Sequence, residues 1–121
     1  MSEPIKISVL RKSQPITLEV EEGKEIVIYI KEMTGAQRDE YFNRASTKTK
    51  TDDKGEVVGM RDYKGLFSSL LAFCVYDAES KLIPEKDIQE WPDSAQRELH
   101  RIAKELNGLE KPASAEGDEK N

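Results

Sequence analysis

The sequence predicts an α+β fold: a small antiparallel β meander over residues 1–31, then a helical part of three to four helices over 32–109, with 110–121 as a disordered tail. Three observations predict it. β-Branched residues at every second position are concentrated before residue 32, whereas apolar residues at helical spacing, bounded by capping and stop signals, come after it. Beyond Leu109 the chain turns polar and charged, with Pro112 and Gly117 among the charges. A length of 121 residues suits one domain.

Three segments compose the expected meander: Ile5 to Leu10, Ile16 to Val20, and Glu25 to Lys31. Ile5, Ile7 and Val9 share one face of the first, Ile16, Leu18 and Val20 one face of the second, and Ile26, Ile28 and Ile30 one face of the third. Arg11 to Pro15 is the expected first connection, and Glu21-Glu22-Gly23-Lys24 is short enough for a hairpin.

Thr34 with Gln37 three residues later forms a capping-box pattern, so a helix is expected to start at Gly35 or Ala36. Its apolar side, Ala36, Tyr41, Phe42 and Ala45, is thin. The polar run that follows has too little apolar area to offset its ordering entropy and is expected as a mobile loop over 46–60. From Tyr63, the positions Leu66, Phe67, Leu70, Leu71, Cys74 and Val75 recur at helical spacing and predict the most buried helix. Tyr76 to Ile83 then reads as a compact reversal, and Pro84 starts a short helix ending near Trp91-Pro92. Asp93 with Gln96 repeats the capping pattern, ahead of the stripe Ala95, Leu99, Ile102, Ala103 and Leu106 and the stop at Asn107-Gly108.

Apolar and charged residues each make up 36% of the chain, which implies a small core under much solvated surface. The net charge of −5 has the wrong sign for coating nucleic acid or an anionic membrane. No apolar run approaches a bilayer span, and the start Met1-Ser2-Glu3-Pro4 lacks a signal-peptide profile, so a cytoplasmic setting is expected. One cysteine excludes an internal disulfide, and a lone histidine beside it excludes the usual clustered zinc sites. Phosphate-loop, dinucleotide-loop and HExxH patterns are missing, so no cofactor, metal or catalytic residue is assigned.

Cys74 falls on an apolar stripe and reads as a core residue rather than a nucleophile. His100, one step off the Leu99 and Ile102 face, reads as a solvated flank residue, and Asp77 with Glu79 as turn chemistry. Trp91 is either a staple between two helices or an interface anchor. Tyr41 and Phe42 lie on a helix too poor in apolar residues to bury both rings, so part of that helix is expected to be completed by another chain. Tyr41, Phe42 and Trp91 are therefore the candidate partner-binding residues.

Three stretches resemble the tail assembly chaperones of long-tailed bacteriophages. They are Ile30-Lys31-Glu32-Met33-Thr34-Gly35 leading through Arg38-Asp39-Glu40-Tyr41; Asp62-Tyr63-Lys64-Gly65-Leu66 with Leu70-Leu71-Ala72-Phe73-Cys74-Val75-Tyr76-Asp77; and Ala103-Lys104-Glu105-Leu106-Asn107-Gly108-Leu109. In similar proteins these patterns occur in this order; the polar insert Ser46 to Gly59 departs from them. The resemblance implies a non-enzymatic morphogenesis protein in the host cytoplasm that binds the tape measure protein, keeps it soluble for tail-tube polymerisation and is absent from the mature virion. It further implies weak homo-oligomerisation and, in many relatives, a longer frameshifted form that recruits the tail tube protein; Glu119-Lys120-Asn121 is compatible with A-rich slippery codons. The alternative is a small structural tail or connector component retained in the particle.

Overall fold

The computed structural model describes residues 3–47, 49–51, 53–54, 57–60 and 65–109. The elements in chain order are β1 (Ser13–Glu21), β2 (Lys24–Lys31), α1 (Gly35–Ser46), β3 (Thr49–Thr51), β4 (Val57–Met60), α2 (Ser68–Cys74), β5 (Val75–Tyr76), α3 (Glu85–Gln89) and α4 (Asp93–Leu106). The α+β class and the antiparallel sheet followed by helices are as expected. The expected tail, 110–121, lies outside the described residues.

β1 and β2 form the expected hairpin, with Ile16 opposite Ile28 and Leu18 opposite Ile26. Gly23 turns the chain with φ of 80°, a conformation costly for any residue carrying a Cβ. β5 adds antiparallel to the other side of β2, Tyr29 facing Tyr76 and Ile30 facing Val75, so the sheet order is β1-β2-β5. Ile28 and Ile30 are fully buried at the end where α2 and α4 cover the sheet, whereas Val20 and Ile26 near the hairpin turn remain about two-fifths exposed. With Leu70, Leu71, Cys74, Val75, Ile88, Leu99 and Ala103, the two isoleucines form one core.

The first strand of the expected meander is corrected. Ile5 to Leu10 pairs with nothing described, and Ile5, Ile7, Val9 and Leu10 are 78–91% exposed. The residues expected to turn the chain, Ser13 to Pro15, lie in β1 itself, so no connection is left to fold the segment back. The third strand is instead Val75–Tyr76, which the helical spacing had assigned in part to a helix. That helix is shorter than expected: residues 65–67 form a turn, α2 begins at Ser68, and Tyr63 lies outside the described residues. At its other end the β-branched Val75 extends to pair with Ile30, where sheet pairing and complete burial outweigh helical periodicity.

The expected loop over 46–60 carries a second correction, since β3 and β4 pair as a short antiparallel hairpin within it. The capping box of α1 forms as expected: Gln37 N–H donates to Thr34 Oγ1 at 3.2 Å and Thr34 N–H to Gln37 Oε1 at 3.0 Å. The second one does not. Pro92 occupies the N-cap of α4, Asp93 pairs with Arg97, and Gln96 donates to the Trp91 carbonyl at 2.9 Å. The reversal after β5 is built on Asp77, whose Oδ1 accepts from the N–H groups of Glu79 and Lys81.

Candidate functional site

No residue of α1 is buried, in keeping with its thin apolar stripe. Tyr41 nevertheless lies half-buried against Phe73, ring centroids 6.4 Å apart and nearly perpendicular. Its burial, with a smaller push from Cys74, holds the phenol above its ordinary pKa. Phe42 sits beside it at 5.4 Å and stays 45% exposed. Leu66 and Phe67 enter from the turn before α2, His100 and Lys104 from α4, and Leu109 from beyond its stop. Together with Tyr41 and Phe42 they line a groove of about 370 Å³.

Guanidinium groups stack on the rings in and beside this groove: Arg38 on Phe42 at 5.1 Å, Arg97 on Phe67 at 5.6 Å and Arg44 on Phe73 at 4.9 Å. His100 is not the solvated flank residue the stripe suggested. It is half-buried edge-on against Phe67 at 5.1 Å, and burial, reinforced by Lys104, lowers its pKa below the ordinary value. The groove thus offers apolar contact through three rings and two leucines, with Arg38 and Lys104 at its margin.

The structure separates the candidate residues named from sequence. Tyr41 and Phe42 share the groove; Trp91 lines a different cleft of about 310 Å³ with Leu18, Val20 and Ala95 among its walls. Trp91 is half-buried and packed on the core beside the α3–α4 junction. Leu66, Phe67, His100 and Leu109 were missed as groove residues. Their signal was present but misassigned, since Leu66 and Phe67 match helical spacing while belonging to the turn that precedes the helix.

Beneath the groove, Cys74 is fully buried, and desolvation pushes its thiol up to about 12 despite opposing help to the thiolate from Asn107 and Arg11. It is a neutral core side chain at pH 7. Asn107 reaches it by a 3.5 Å contact from Nδ2 to Sγ, donates to the Ala103 carbonyl at 2.9 Å, and accepts from Met33 N–H at 2.7 Å. All three stretches that carry the phage resemblance therefore meet at one amide. Among the described residues, no group of three or more His, Cys, Asp or Glu side chains could hold a metal ion, and no helix is long and apolar enough to cross a membrane. Comparison with family models, curated proteins and solved structures found no match to this chain.

Proposed function

We propose that this chain is a tail assembly chaperone of a long-tailed bacteriophage, a non-catalytic protein of the host cytoplasm that binds helical segments of the tape measure protein. The observation that carries the reading is the α1–α4 groove. Its rings and leucines are only partly covered by the described residues, with Phe42 and Leu66 more than two-fifths exposed, and an amphipathic helix laid into such a groove buries apolar surface that neither side can bury alone. The ordered stretches around Met33, Cys74 and Asn107 add support from sequence. Arg38 and Lys104 favour a bound helix whose apolar anchors are flanked by carboxylates. Many modest contacts along one long chain supply avidity without high affinity at any single site.

Co-expression with the tape measure protein tests this. The soluble yield of that protein should rise, and Phe42→Ser with Leu66→Ser should reduce the gain while leaving circular dichroism intact, because both side chains are more than two-fifths exposed. Tyr41→Ser should reduce it too, with some loss of stability from the lost Phe73 contact. If co-expression changes nothing and the two proteins separate on a sizing column in mild salt, the proposal fails. If only the groove variants are silent, the binding surface lies elsewhere.

A further inference from the structure

The segment Pro4–Leu10 has the period-two apolar pattern of a half-buried strand, yet Ile5, Ile7 and Val9 are each at least 78% exposed. It stops being free at one place. Arg11 Nε donates to the Glu32 carbonyl at 2.7 Å, its Nη2 donates to the Tyr76 hydroxyl at 3.0 Å, and Glu32 N–H donates to the Lys12 carbonyl at 2.8 Å. From that anchor the eight residues 3–10 span up to roughly 26 Å when extended, at about 3.3 Å per residue.

The same hydrogen bond fixes which way β1 faces. Antiparallel ladders alternate, so the Lys12–Glu32 bond directs the backbone groups of Gln14, Ile16 and Leu18 toward β2. Those of Ser13, Thr17 and Glu19, with the Pro15 carbonyl, point to the outer edge, where no described strand pairs. Pro15, which has no N–H, sits on that outward set, as an edge strand permits. The chain cannot cover this edge with its own leading segment. A hairpin would have to turn through Lys12 and Ser13, which are held extended against Glu32 and Lys31 and include no residue suited to positive φ.

We propose that the leading segment of one chain adds antiparallel to the open edge of β1 in a second copy. The register sets Ile7 opposite Leu18, Val9 opposite Ile16, and Lys6 opposite Glu19. It places Ile7 and Val9 on the sheet face where Ile16 and Leu18 pack on the core, with Ile5 extending the row toward the exposed Val20. Charge fits at one position, where Lys6 stands opposite Glu19. Two copies exchange segments when each segment turns over at Leu10–Arg11, since a straight continuation of β1 would carry Ile7 and Val9 to the face opposite Ile16 and Leu18. This inference does not rest on the chaperone reading, and its test uses the purified full chain alone.

The test combines sedimentation with cross-linking. The chain should form dimers, and Ile7→Asp with Val9→Asp should raise the dimer dissociation constant about tenfold or more, a difference of about 1.4 kcal/mol or more, without changing circular dichroism. In a Cys74→Ala background, K6C chains mixed with E19C chains and oxidised with glutathione disulfide should give a mixed dimer through residues 6 and 19, which I7D/V9D abolishes. A chain that stays monomeric at high concentration overturns the proposal, as does a dimer indifferent to I7D/V9D. A monomer whose I7D/V9D variant loses only tape measure binding also overturns it, assigning the segment to that partner instead; loss of tape measure binding by Phe42→Ser with dimers intact bears on the groove alone.

Discussion

A thiol in the core has a consequence that acid–base titration exposes. The folded Cys74 holds its proton up to about pH 12, whereas the unfolded chain releases it from 9.0. Above pH 9 the unfolded state therefore binds fewer protons, and folding stability declines as pH rises, by up to about 1.4 kcal/mol per unit for one group. Tyr41, raised by burial, adds a decline of the same sign at higher pH. Urea midpoints measured from pH 8 to 11 should fall steadily in the native chain and less steeply in Cys74→Ala. Maleimide labelling near neutral pH should be slow until denaturant opens the core. Labelling at the denatured rate would contradict the burial.

At the scale of elements, the devices legible in sequence are the local ones. The Thr34–Gln37 box spans three residues and forms as drawn; the Asp77 reversal and the Asn107-Gly108 stop are equally short-range, with Gly108 at φ of 66° as such stops require. What sequence did not disclose depends on partners far along the chain. Ile5–Leu10 has the right alternation and no strand beside it, while Val75–Tyr76 has helical spacing and a strand beside it, and neither difference is written within the segment itself. For the groove, Tyr41 and Phe42 were legible because α1 is visibly under-filled; His100 and Leu66 were not, because their exposure depends on where α2 begins. Asn107 was legible only as a helix stop. Its amide also joins the β2–α1 junction to the ends of α2 and α4, so Asn107→Ala leaves the Met33 N–H without this partner. The expected cost is about 1–3 kcal/mol in urea unfolding. An unchanged midpoint would mean that water satisfies Met33 equally well.

Over the whole molecule, the net charge of −5 means that, on the proposed function, bound copies would repel neighbouring complexes and keep the coated protein in solution. On the proposed function the chain works before the tail is complete and then departs. Peptides from purified virions should therefore include tail tube and tape measure protein but none from this chain. Recovery in amounts comparable to tail components would assign it to the particle instead.

The Met33–Asn107 bond also bears on how the protein is made. Its ends lie 74 residues apart, so at a synthesis rate of roughly 5–20 residues per second, about 4 to 15 s separate the two residues on the ribosome. During that interval all residues of β1 and β2 have been synthesised, whereas α4, which helps cover Ile28 and Ile30, is not yet complete. Growing chains held close together on one messenger thus expose matching apolar strips. Glu19, Glu21, Glu22 and Glu25, gathered around the hairpin turn, place like charge beside that strip and so oppose face-to-face pairing of two unfinished chains.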